Sequence, residues 1–130
     1  MSGNKKVLLI DDDDLVRLTL HAYLEDSGYE VRDVAGGREG LDCFAREAPD
    51  IVLTDLRMPD LDGFQILAAI KKISPATPVI IVSGAGDAGI SHGEASAFLL
   101  KPVINMKEMV SLIERVLDEA RRGEGRVTDE

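Results

Sequence analysis

Tryptophan is absent, cysteine occurs once, and aromatic residues make up 4% of the chain. The core must therefore be aliphatic. A single cysteine, Cys43, cannot close an internal disulfide, so a reduced, cytoplasmic setting is expected and Cys43 reads as a small core residue. No stretch approaches the roughly 18 continuous apolar residues of a membrane span. The polar start gives way at once to a strand-like run, and no signal peptide is seen. Positive charge is scarce: 15 Lys and Arg face 24 Asp and Glu, a net charge of -9. That balance argues against non-specific nucleic-acid binding and against adsorption to an anionic membrane, but leaves room for a divalent cation. Repeats and low-complexity segments are also missing.

What remains, 130 residues with 45% hydrophobic and 30% charged, is ordinary for one soluble domain with a real core. Ile51-Val52-Leu53-Thr54-Asp55 is the stretch that organises it. Its apolar run is continuous rather than alternating, as in a strand covered on both faces, and it ends on a carboxylate. Lys6 to Ile10, Tyr29 to Ala35, Val79 to Val82 and Ala97 to Leu100 read as further strands, the second more polar and nearer an edge. Helices are expected between them: Leu15 to Ser27, about Arg38 to Glu47, Phe64 to Ile73, and a closing helix capped by Asn105. The apolar stripe of the second is read as Leu41, Phe44, Ala45 and Ala48. The third is read as turning Phe64, Leu67, Ile70 and Ile73 inward. In the closing helix Leu112 falls off the inner stripe, a hint of a partner-binding spot. From about Arg122 the composition is polar and Gly-containing, so residues 1–121 are expected to form the domain and 122–130 a frayed tail or linker. Alternating strands and helices with right-handed crossovers give an α/β fold, an open, doubly wound, five-stranded parallel sheet.

Parallel strands share one direction, so their ends converge at one rim. Asp11-Asp12, Asp55, Ser83 and Lys101 all lie at strand ends. Four adjacent acids, Asp11 to Asp14, repel one another; Asp13 or Asp14 is placed to cap the next helix, but capping does not account for all four. Three carboxylates make an oxygen-rich pocket for a hard cation, and Mg²⁺, which keeps waters and takes one or two carboxylates, suits it better than Ca²⁺. A divalent cation and Lys101 beside Asp55 would keep it ionised and neutralise a phosphoryl group in transit, with the Ser83 hydroxyl donating to one of its oxygens. Asp55 thus reads as nucleophile or metal ligand; a helix cap or turn Asp is the plainer alternative. His21 reads as a solvated or half-buried helix residue, and His92 as surface.

The chain resembles a response-regulator receiver domain, the phosphoacceptor half of two-component signalling. The resemblance rests on Val7 to Asp13, Pro49 to Gly63, Pro78 to Gly84 and Ala97 to Pro102, and spans about Lys5 to Arg121. It implies a flavodoxin-like (βα)5 fold in which Asp55 is phosphorylated. It makes Asp12 a direct Mg²⁺ ligand, Asp11 a ligand acting mainly through water, and the backbone carbonyl of Arg57 a further ligand. Ser83 and Phe98 would be the switch pair and Lys101 the phosphoryl-binding lysine, in a bond to Pro102 that is commonly cis in the family. The donor would be a sensor histidine kinase or histidine phosphotransfer protein. Output would pass through an unknown downstream protein or a missing effector domain, with no direct contact to nucleic acid or membrane and no turnover of an external substrate. One region departs from the pattern. Only 18 positions separate Ser83 from Lys101, about one helical turn fewer than usual, and Gly occurs at 84, 86, 89 and 93 between them. A short, frayed or absent fourth helix is expected there.

Two other readings compete. Asp12-x-Asp14-x-Val16 fits the nucleophile pattern of a small Mg²⁺-dependent haloacid-dehalogenase-like phosphohydrolase, although no acidic pair closes a strand after Lys101 and the chain is short for that fold. A receiver-like docking scaffold without phosphorylation is the third, against which the complete set Asp11, Asp12, Asp55, Ser83 and Lys101 argues.

Overall fold

The computed structural model describes residues 4–84, 95–101 and 105–127, with side chains as far as residue 122. The strands are β1 (Lys6–Ile10), β2 (Glu30–Val34), β3 (Ile51–Asp55), β4 (Val79–Ser83) and β5 (Ala97–Leu100). The described helices are α1 (Asp14–Asp26), α2 (Gly37–Glu47), α3 (Gly63–Ile73) and α4 (Met106–Val127). All strand pairs are parallel, in the order β2-β1-β3-β4-β5. This is the doubly wound sheet expected from the sequence, with β3 central and β2 at an edge. The expected irregular fourth helix, His92 and Pro102 fall outside the described residues.

Continuous apolar strands supply two cores at once because successive side chains point to opposite faces. In β1, Leu8 and Ile10 pack with Phe44 of α2 and with Ile66 and Ile70 of α3. Val7 and Leu9 pack on the other face with Leu20 and Leu24 of α1 and with Met109, Ile113 and Val116 of α4.

Three helix faces differ from the sequence expectation. In α3 the buried residues are Gly63, Ile66, Leu67 and Ile70, while Ile73 is exposed. Steps of three residues drift around a 3.6-residue helix, so a stripe counted from Phe64 in threes walks off the core face by Ile73. In α2 the buried residues are Gly37, Gly40, Cys43 and Phe44, whereas Ala45 and Ala48 are exposed. Two glycines, silent on a hydropathy scale, allow close approach there: Gly40 lets the helix lie against Ile10 of β1, and Gly37 lets it meet Leu61 and, in α3, Ile66. Leu112 is half-buried against the α1/α4 core rather than free on the surface.

Helix α4 continues to Val127, past Arg122 where the polar composition placed a tail. Just before that stretch the charges are spaced for a helix: Asp118 pairs with Arg121 at 3.0 Å and with Arg122 at 3.2 Å.

Asp60 has a structural task that its place in a turn-rich loop concealed. The N-cap of α2 is Gly36, which offers no side-chain oxygen. Asp60 supplies it from 23 residues away, its carboxylate accepting from the amides of Gly37 at 3.0 Å and Arg38 at 2.9 Å. These N–H donors, Arg38 foremost, lower its pKa from 3.8 to about 2. Because the folded-state value is depressed, this stabilisation is complete above the ordinary value and is lost as pH falls toward the folded one. Asp60→Ala is expected to cost about 1 kcal/mol at neutral pH, the usual loss of a helix cap. The difference from wild type, measured by urea unfolding, should shrink as pH falls from 3.8 toward about 2. A difference that does not change over that range would assign the effect to something other than the carboxylate.

Candidate functional site

The β2-β1-β3 order makes the gap between β1 and β3 the point where successive connections leave in opposite directions, and ligands of such sheets gather there at the carboxyl ends of the strands. The register pairs Ile10 with Thr54, so one further step brings Asp11 beside Asp55. Asp11 prolongs the ladder, its amide donating to the Val34 carbonyl at 3.1 Å. Asp11, Asp55 and Lys101 follow Leu9, Leu53 and Leu99 by two, and so share the α1/α4 face. Lys101 lies one residue beyond β5, held by its amide to the Ser83 carbonyl at 2.8 Å.

The side chains meet accordingly. Lys101 Nζ donates to Asp55 Oδ2 at 2.9 Å and stands 3.6 Å from Asp11 Oδ2. Asp11 is 2% exposed and Asp55 6%, while Asp12 is open to solvent. Each of Asp11, Asp12 and Asp55 offers an oxygen, and the three lie within 4.8 Å of one another. Burial pushes the Asp11 carboxyl above its ordinary pKa, against the Asp13 amide and the Lys101 charge, which pull it down. Burial works against the Lys101 ammonium, yet Asp55 and Asp11 together raise its pKa. Two buried acids, a third at the mouth and one cation shared between them form an electron-rich pocket that is incompletely neutralised. A divalent cation that retains some of its waters fits that donor set.

The other expected residues divide. Ser83 ends β4, buried at the same rim. It lies two residues beyond Ile81, the register partner of Phe98, so Ser83 and Phe98 occupy the same sheet face, opposite the charged trio. The Phe98 ring meets Phe64 of α3, with centroids 6.0 Å apart. Arg57 lies in the exposed turn after β3. Gly63 lets α3 begin against that strand end: a Cβ there would come within 3.0 Å of the Asp55 carbonyl oxygen. Asp13 is the N-cap of α1, accepting from Val16 at 3.1 Å, and Asp14 is bound to Arg17 at 2.7 Å. The Asp12/Asp14 pair needed by the phosphohydrolase reading therefore does not converge. Sequence reasoning missed Arg17 itself; a cation in the first turn of a helix, against the dipole and three residues after an acid run, was the available signal. His21 is half-buried, as expected, but bound on both sides, by Asp33 and by Glu25.

Comparison with known proteins converges on one family. A family model described as response regulator receiver domain matches residues 7–114. The chain is 36% identical over 129 residues to the transcriptional regulatory protein GlrR of Escherichia coli K12, covering 95% of this chain and 28% of that one. It is 36% identical over 84 residues to the sporulation initiation phosphotransferase F of Bacillus subtilis 168, covering 65% of this chain and 68% of that one. Among solved structures, a receiver domain protein from Clostridium thermocellum superposes with a TM-score of 0.84 at 32% identity, over 90% of this chain and 97% of the other. The chain spans about a quarter of the length of the first curated relatives it matches, 28% for GlrR and 24% for NtrC of Escherichia coli.

Proposed function

The chain belongs to the response regulator receiver domain family, and from that membership we propose that it is a phosphorylation-dependent switch in which Asp55 accepts a phosphoryl group from a phosphohistidine. The donor is a sensor histidine kinase or a histidine phosphotransfer protein. The observation that carries the reading is the 2.9 Å bond from Lys101 to an Asp55 carboxylate that also faces Asp11 and Asp12.

An Asp55 oxygen attacks phosphorus, forming a P–O bond as the P–N bond breaks, and the electron pair leaves with the imidazole. Asp11, Asp12, Asp55 and the Arg57 carbonyl would hold Mg²⁺, which when bound offsets phosphoryl charge. Lys101 moves its ammonium from carboxylate to phosphoryl oxygen, and Ser83 donates a hydroxyl to another. Phe98, on the same face as Ser83, follows it as the switch aromatic. Leu15 and Leu18, 74% and 60% exposed on α1 just past the acidic loop, offer the donor an apolar foothold beside the site. The domain turns over no external substrate in this reading, works in the cytoplasm, and acts on a downstream protein or effector domain through changed contacts. None of the described helices is long and apolar enough to cross a membrane.

Intact mass after incubation with Mg²⁺ and a small phosphodonor tests this. Wild type should gain one phosphoryl group, Asp55→Asn none, and Asp12→Ala should bind Mg²⁺ too weakly to be modified efficiently. Modification that survives Asp55→Asn but not Asp12→Asn would favour the phosphohydrolase reading instead.

A further inference from the structure

Arg17 stands where a cation is unfavourable for the helix, yet its side chain is only 13% exposed and three of its nitrogens are engaged. Nη2 donates to Asp14 Oδ1 at 2.7 Å, Nε to Asp33 Oδ1 at 3.0 Å, and Nη1 to the carbonyl oxygen of Asp11 at 2.8 Å. Asp33 belongs to β2, and its other oxygen is held by His21 Nδ1. His21 in turn places Nε2 3.0 Å from Glu25. One guanidinium thus ties the end of β1 to β2 and to the start of α1.

The Asp11 carbonyl belongs to the planar peptide that joins Asp11 to Asp12. A donor fixed on that oxygen fixes the plane, and with it the direction in which both side chains leave the chain. The remaining restraints on Asp11 act elsewhere: its amide on Val34, its Oδ1 on the Asp13 amide at 2.9 Å, and its Oδ2 beside the Lys101 ammonium at 3.6 Å. We infer that Arg17 is a positioning residue for the cation pocket, holding the Asp11–Asp12 peptide so that both carboxylates face Asp55. This rests on the reading that those three carboxylates take Mg²⁺. Arg17 touches neither a carboxylate of that trio nor the phosphoryl group, and acts through the backbone alone.

Charge and geometry predict opposite signs here. A guanidinium close to the pocket repels a divalent cation, so by charge alone its removal strengthens Mg²⁺ binding. By loss of positioning its removal weakens binding. Arg17→Lys keeps the charge but cannot span three acceptors with one ammonium.

The test titrates MgCl₂ into the full chain and follows backbone amide shifts of residues 11–13 and 55 well below the melting temperature of each variant. Arg17→Ala and Arg17→Lys should each weaken Mg²⁺ about tenfold, as loss of an outer-shell partner does. Asp33→Asn, which keeps an acceptor for Nε, should weaken it less. Glu25→Gln, which loosens His21 but leaves the fork whole, should keep wild-type affinity even if it melts lower, separating positioning from general stability. Should Arg17→Ala not fold, Arg17→Lys and Asp33→Asn carry the same comparison. Wild-type binding with unchanged or tighter Mg²⁺ in the Arg17 variants overturns the positioning role alone. A wild type whose shifts do not respond to Mg²⁺ overturns the metal reading, and this inference with it.

Discussion

Lys101→Ala is expected to stay folded, to lose about 1–3 kcal/mol of stability in metal-free buffer, and to accept a phosphoryl group at least about 10²-fold more slowly. The rate loss is that of removing one fixed cationic or hydrogen-bonding stabiliser of transition-state charge. Lys101 stands past the end of β5, about a quarter exposed, so its truncation leaves little cavity. What it does leave is Asp55 and Asp11, both buried, without the cation that lies 2.9 and 3.6 Å from them. Breaking a fully buried pair costs about 3–5 kcal/mol; the solvent reaching this lysine reduces that figure. The sign of the pH dependence follows from Asp11. Its pKa is already raised by burial above 3.8, so its contribution to stability is complete below that value and is lost as pH rises through the folded one. Without Lys101 the folded-state value rises further. The deficit of Lys101→Ala should therefore be largest near neutrality and shrink as the solution is acidified through the carboxylate range, and MgCl₂ should recover part of it at neutral pH. Urea unfolding at both ends of that range, with and without MgCl₂, checks this. A deficit indifferent to both pH and Mg²⁺ would mean that Lys101 is a packing residue.

This pocket was legible in the sequence for a topological reason. Apolar strands ending on Asp11, Asp55 and Ser83 identify the rim, and a parallel sheet leaves only one end at which they can meet. The sequence did not contain the register, which sets Asp11 against Asp55 and places Ser83 and Phe98 on the opposite face from Lys101. Nor was the support beneath the site legible. Arg17 and Asp33 lie 16 residues apart, and Gly37 and Asp60 23 apart; each taken singly looks like a solvated charge or a turn residue. Such pairs are joined only by the crossovers, which no local spacing encodes. The helix faces failed where the informative residue has no side chain, as at Gly40, or where counting in threes replaced the true helical period, as at Ile73.

Gly40 carries the remaining large effect. Alanine is the better helix former by about 1 kcal/mol, so on propensity alone Gly40→Ala should stabilise α2. The opposite is expected, a loss of about 1–3 kcal/mol by overpacking. A Cβ at this position would lie 2.5 Å from Ile10 Cδ1 and 3.0 Å from Ile10 Cγ1. Ile10 is fully buried, packed in one cluster with Val34, Cys43, Phe44 and Ile66, so its tip has little room to swing aside. Ile10→Val removes the offending Cδ1 and alone should cost about 1 kcal/mol. In the double variant the methyl introduced at position 40 occupies the space that Ile10 gave up, and stability should return close to wild type, a coupling of about 2 kcal/mol or more in the cycle. Ile10 is followed directly by Asp11, so the strain of the single variant should also reach the pocket and weaken Mg²⁺, an effect that the double variant relieves. Denaturant midpoints and Mg²⁺ titrations of the four proteins measure both couplings. Additive free energies, or a Gly40→Ala protein more stable than wild type, would show that α2 can shift away from β1, and that its close approach is not what holds the end of that strand in place.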